Sequence, residues 1–281
     1  DGIVLVEGAR LELVPGEAAS NEFTFQVDYP TLLHDLHPGD RVVIGDGAIS
    51  LRVEDVSESA AVTTVLTGGR TQGRPGVHLP SERLRLHAPT EDDLRLAAIM
   101  AAEGVDYLAV SFVRRAEDLT QVRAAVAPHH TLLVAKIETL PAVAALEEIA
   151  AEADAIMVAR GDLGIECPLE DVPHLQKRII RHCVEMGTPV ITATQMLESM
   201  ITSPAPTRAE VSDVANAVFD GTDALMLSAE TAIGHDPVAV VETMTRVALR
   251  AEAEASYKAW SERLGRVQRR HWPDSADRIT M

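Results

Sequence analysis

Long apolar runs are missing. None of the 281 residues sits in a stretch of the ~20 consecutive apolar positions that a membrane-spanning helix needs, and the start shows no secretory-signal pattern. Cysteine is scarce: Cys167 and Cys183 form neither a metal-binding spacing nor a disulfide framework, which fits a reducing, cytoplasmic setting. Positive charge is scarce too, with 25 Lys and Arg against 43 Asp and Glu and a formal net charge of −18. Such a surface repels a phosphate backbone, so nucleic acid is not expected as the main partner. A phosphorylated small molecule is not excluded, because it needs only a local positive site. The rarest cation is lysine, present only as Lys136, Lys177 and Lys258. Lys177 and Lys258 fall in polar, helix-like stretches, whereas Lys136 lies inside the apolar run TLLVAKIE. A composition that otherwise uses arginine has kept a compact ammonium in a strand, and the two groups are not interchangeable.

Apolar mass is plentiful. With 46% hydrophobic residues there is core enough for one large domain or two modest ones. The chain opens with Asp1 inside a strand-like run and reads as a fragment. Up to about residue 87 the texture is β-rich: IVLVEGARLELV, NEFTFQVDY, DRVVIGDGAISLRVEDV and AAVTTVLTGG. Turn signals at Pro15-Gly16, Pro38-Gly39, Gly45-Asp46-Gly47 and Gly68-Gly69 separate these runs, as in a small all-β domain.

From about residue 88 strands and helices alternate. Apolar strands are expected at 107–112, 132–138, 155–160, 189–194 and 224–230. Helical patterns lie between them, in EDDLRLAAIMAAEG, AEDLTQVRAAVA, LPAVAALEEIAAEA and VPHLQKRIIRHCVEMG. Alternation of this kind implies parallel βαβ units, in a (β/α) barrel or a doubly wound sheet. The barrel is favoured because four consecutive strands end in polar residues, and a barrel gathers all its C-terminal strand ends around one mouth. Five strands make only part of an eight-stranded barrel. Thr207 and Glu210 have capping-box spacing, with Pro206 just before them, and Gly187 and Gly221 sit where helices should stop. Residues 245–270 are expected as one long helix.

The chemistry-bearing residues lie at those strand ends. Lys136 and Glu138 are two apart in a strand and face the same way. A buried salt bridge is the plain reading; a cation for phosphate beside a carboxylate for a metal is the functional one. In MVARGDLGIE, Gly161 lets backbone amides approach an anion, with Leu163-Gly164 expected in a turn, and Asp162 adds a second hard oxygen ligand. Two carboxylates with positions left for water and substrate suit Mg²⁺. Thr194 and Gln195 lie at the end of the next strand, and Ser228, Glu230 and Thr231 at the end of the last, where Glu230 also suits a structural hydrogen-bond role. Each is weak alone. Together they fit phosphoryl transfer, which needs charge neutralisation and positioning more than covalent catalysis.

The stretches AKIET, IMVARGDLGIECPLEDVPHLQKRII, GTPVITATQMLESM and PAPTRAEVSDVANAVFDGTDALMLSAETAIG resemble the pyruvate kinase family, and the resemblance covers essentially the whole chain. It implies a partial (β/α)8 TIM barrel, about five of eight strands, over residues 88–260, with residues 1–87 as an all-β lid domain. Residues 261–281 would be a linker toward a further domain. It also implies a glycolytic activity, the Mg²⁺-dependent transfer of phosphoryl from phosphoenolpyruvate to ADP. Glu138 and Asp162 would hold Mg²⁺ or Mn²⁺, and Lys136 would stabilise the migrating group. The backbone of Gly161 and Asp162, with the Thr194 hydroxyl, would hold the substrate carboxylate. Thr194 and Ser228 would lie on the proton path to the enolate, Ser111 near the same mouth as a further substrate-binding residue, and Asp46 on the nucleotide side. A K⁺ requirement, with most ligands outside this chain, and a cytoplasmic homotetramer complete the expectation. The sequence departs from the family pattern at Ala229 in MLSAET, at Gly45 before Asp46, and at Arg74-Pro75. Other readings are a different metal-dependent phosphoenolpyruvate or pyruvate enzyme, and a non-catalytic binding module.

Overall fold

The computed structural model describes residues 2–45, 47, 49–80, 88–127 and 129–254. The chain divides into two compact units, Asp1–His87 and Ala88–Met281. The first carries strands β1 (Ile3–Leu5), β2 (Arg10–Pro15), β3 (Thr24–Val27), β4 (Arg41–Ile44), β5 (Ile49–Val56), β6 (Ala61–Thr67), β7 (Gly69–Thr71) and β8 (Val77–His78). Six of them form a sheet in the order β3-β2-β6-β5-β4-β8, and β1 pairs with β7. Inward residues recur at every second position, as pleating demands: Leu11 and Leu13 in β2, Ile49, Leu51 and Val53 in β5, Ala61 and Val65 in β6. Two local features differ from the sequence reading. The run IVLVEGARLELV is two strands, broken by a turn at Glu7-Gly8. A single helical turn, Leu32–Asp35, interrupts the β texture and drops Leu32 fully into the core.

The second unit holds, among the described residues, five parallel strands: β9 (Tyr107–Val110), β10 (Leu132–Ile137), β11 (Ala155–Ala159), β12 (Val190–Ala193) and β13 (Ala224–Leu225). They are hydrogen-bonded in strict chain order. A doubly wound sheet would reverse that order at a switch point, so this is the arrangement of a partial (β/α)8 barrel. Leu133, Ala135, Ile137, Ile156 and Val158 are fully buried against the helical layer. At about 1.5–3 kcal/mol for each large aliphatic side chain, that face fixes the strand register.

The helices begin and end on readable chemistry. Thr207 Oγ1 accepts from the Glu210 amide while Glu210 caps the Thr207 amide, opening helix Arg208–Asp220. Helices Val172–Met186 and Arg208–Asp220 close on Gly187 and Gly221, both in the left-handed region that favours glycine. The single helix expected over 140–153 is instead two, Leu140–Ala144 and Leu146–Glu152, parted where Ala145 takes φ −93°, ψ 15°. The last described helix is Pro237–Glu252, eight residues earlier than the expected start at 245. Asp236, whose carboxylate accepts from the Ala239 amide at 3.0 Å, and Pro237 in the first turn set that start. Residues 255–281, including the expected linker, lie outside the described residues. Among the described residues no helix is long and apolar enough to cross a membrane.

Candidate active site

Strand parity delivers the first group of side chains. In β10 the outward positions are Leu133, Ala135 and Ile137, so Val134 and Lys136 face inward. Val134 packs there with Ala155, Met157 and Ala193 in a small inner cluster. Lys136 stands one step further toward the mouth, and Glu138 follows just past the strand end. Lys136 Nζ donates to Ser111 Oγ, immediately after β9, at 2.9 Å and meets Glu138 Oε1 as an ion pair at 2.5 Å. Glu138 is 1% exposed, and its Oε2 accepts from the Phe112 amide at 2.6 Å. Its Oε1 accepts no directed hydrogen bond; the lysine charge is what it has.

Burial pushes the Glu138 carboxyl above the usual carboxylate range. Lys136 and the Phe112 amide oppose that push, and the charge of Asp162 adds to it. Asp162 therefore lies within electrostatic reach of Glu138. It is half-buried in the first turn of helix Arg160–Glu166, a helix where the sequence suggested a turn at Leu163-Gly164. The donor set fits a hard divalent cation: two carboxylates that repel each other, one of them buried with an oxygen free of directed hydrogen bonds. Among the described residues no three His, Cys, Asp or Glu converge into a closed metal cage. A two-carboxylate set leaves the remaining positions to water and ligand, as Mg²⁺ prefers.

The second group forms at the ends of β11, β12 and β13. Thr194 and Gln195 take φ 69° and 54°, and Phe112, past β9, takes φ 54°. Such angles are uncommon outside glycine, least expected for a β-branched residue, and persist where surrounding contacts hold them. Thr194 Oγ1 accepts from the Gly161 amide at 2.8 Å and donates to the Ala193 carbonyl at 2.6 Å. The Gly161 amide, expected to face a substrate carboxylate, is thus bonded to Thr194. Glu230 is 1% exposed; Oε1 accepts from the Met196 and Leu197 amides at 3.1 and 3.2 Å, and Oε2 from the Ser228 amide at 2.7 Å. Ser228 is thereby tied to the segment that carries Thr194. Adjacency of Gly161 and Asp162 in the chain joins the two groups.

Lys136, Glu138, Ser111 and Asp162 thus share one neighbourhood, and Gly161, Thr194 and Ser228 the next. Asp46 lies outside the described residues. Two contributors carried no assigned role in the sequence reading: the Phe112 amide, which a sequence cannot show, and the side chain of Arg160. The position of Arg160 beside Gly161-Asp162 was its only signal. A cavity of about 680 Å³ in the first unit, between β3 and residues 71–79, contains none of these groups.

Against known proteins, the family described as pyruvate kinase, barrel domain, matches residues 2–241. The pyruvate kinase of Geobacillus stearothermophilus is 46% identical over 91% of this chain and 44% of its own length. That of Methylorubrum extorquens is 48% identical over 93% of this chain and 54% of its own. The human pyruvate kinase PKLR is 44% identical over 94% of this chain and 47% of its own. The chain spans about half the length of the curated relatives it matches.

Proposed function

Because the chain belongs to the pyruvate kinase family, we propose that it carries the metal- and phosphoryl-handling groups of an enzyme converting phosphoenolpyruvate and ADP to pyruvate and ATP. The observation that carries this reading is the meeting of Ser111, Lys136 and Glu138 at adjacent strand ends, with the charge of Asp162 felt at Glu138. Lys136 is the compact cation that offsets charge building on the migrating phosphoryl group. Ser111 holds its ammonium in place. Glu138 and Asp162 would hold Mg²⁺ or Mn²⁺, which when bound supplies charge neutralisation at phosphate oxygens. The substrate carboxylate would be received by the backbone of Gly161 and Asp162 and by Thr194, exchanging with the Gly161–Thr194 bond and freeing that hydroxyl. Thr194 and Ser228 would flank the route of the proton to the enolate carbon. Asp46 on the nucleotide side, a K⁺ requirement and a cytoplasmic homotetramer belong to the same reading. Two buried free thiols are compatible with that compartment.

The test is Lys136→Met in the protein as the organism makes it, assayed by ADP-dependent pyruvate release. Turnover should fall at least about 100-fold. Wild-type turnover in that variant would refute the assignment.

A further inference from the structure

An arginine beside a phosphate-handling site is first suspected of binding the phosphate. Arg160 has its donors engaged elsewhere. Its Nε donates to the Ala193 and Thr194 carbonyls, both at 3.2 Å. Its Nη2 donates to the Thr194 carbonyl at 2.6 Å, to the Gln195 carbonyl at 3.2 Å and to Met196 Sδ at 2.8 Å. Its Nη1 donates to Asp213 Oδ2 at 2.7 Å and to Gln176 Oε1 at 3.3 Å. The side chain is 10% exposed.

The carbonyls it holds are those that the sheet releases. On its β13 side, β12 pairs only through Ile191 and Thr192, so the ladder stops just before Ala193. The next residues, Thr194 and Gln195, are the two with positive φ. Arg160 grips this segment by its carbonyls, and Glu230 grips the amides that follow, at Met196 and Leu197. Asp213 and Gln176, from two different helices, aim the guanidinium. A planar fork spans successive carbonyls and still reaches a carboxylate behind it, which a lysine ammonium at the same place cannot do.

We infer that Arg160 is a positioning residue for Thr194: it holds the 193–195 backbone, strained at Thr194 and Gln195, so that the threonine hydroxyl stays where a substrate can use it. This rests on the reading of Thr194 as a substrate contact. The test is a double-mutant cycle of Arg160→Lys with Thr194→Ala in the protein as the organism makes it, with kcat, KM and the folded fraction by circular dichroism measured for each. Arg160→Lys should lower kcat about 10- to 100-fold. In the Thr194→Ala background the same change should lower it less than about threefold. Equal losses in both backgrounds overturn the inference, as does a kcat that falls only in proportion to the folded fraction. Arg160→Gln, which removes the charge, should show the same non-additivity with a larger loss. If Lys136→Met keeps full turnover or Thr194→Ala is silent, the functional reading itself fails. If both lose turnover and the Arg160 effect is additive, only the positioning role falls.

Discussion

Glu230 gives the sharpest prediction, because one buried carboxylate serves three backbone amides. Its oxygens accept from Met196, Leu197 and Ser228 at 3.1, 3.2 and 2.7 Å. Glu230→Gln keeps the shape but replaces one acceptor by a donor. The better placement points the amide oxygen at Met196 and Leu197 and leaves the Ser228 amide facing an NH₂ group. One orphaned donor costs about 1–3 kcal/mol, and two hydrogen bonds weakened from charged to neutral add roughly 1 kcal/mol each. Burying an amide rather than a carboxylate offsets part of this, so the net loss should be about 2 kcal/mol or more. Glu230→Ala orphans all three amides and should lose at least about 3 kcal/mol. The assay is the urea midpoint by far-UV circular dichroism, converted with the measured slope. An alanine variant within about 1 kcal/mol of wild type, or a glutamine variant worse than alanine, would refute the claim that Glu230 holds this backbone.

Two further outcomes follow from buried or bonded ionisable groups. Burial, with the charge of Asp223 adding to it, pushes the Cys183 thiol up to about 12, and burial with nearby carboxylates raises Cys167 as well. Both thiols should resist iodoacetamide at pH 8 in the folded protein and react after denaturation; labelling of the native protein at the rate of free cysteine would contradict their placement. For Glu210, burial opposes ionisation, but hydrogen bonds from Ser199 and Thr207 outweigh it and hold the carboxyl below its ordinary value. A depressed folded-state value means stability that is complete above about pH 4.3 and lost as the pH falls through the folded value. Glu210→Gln should therefore flatten the acid limb of the stability profile, and an unchanged limb would show that those bonds contribute nothing.

Much of the barrel is legible because it obeys simple periodicities. Parity alone puts Lys136 and Glu138 on one face, and the spacing of Thr207 and Glu210 names a helix start that the structure has. Legibility fails where an element ends for reasons outside its own letters. The run ALMLSAE reads as a strand through residue 230, yet β13 is two residues long and Ser228 opens the short helix Ala229–Ala232. An apolar run does not say where its partner stops offering hydrogen bonds. The start of helix Pro237–Glu252 is marked by the capping Asp236 and by Pro237 in its first turn, eight residues before the expected 245.

The candidate site fails to be legible for a different reason. Its side chains could be named from the sequence, but the groups that aim them act on backbone. Arg160 reaches carbonyls 33 to 35 positions away, Glu230 reaches amides 33 and 34 away, and the Phe112 amide reaches a carboxylate 26 away. None of these leaves a residue-type signal at its backbone end, because every residue there carries the same peptide group. The positive φ at Thr194 is less visible still, since threonine is a type that argues against it. A barrel strand can place a side chain at the mouth by parity, but only to the precision of the last ladder bond. Beyond that bond the backbone must be held by something else, and at β12 the holders are a cation on the carbonyls and an anion on the amides. That division explains how individually weak residues can be gathered into a candidate site: the polar side chains lie at the strand ends, and charged groups acting on the backbone set their geometry.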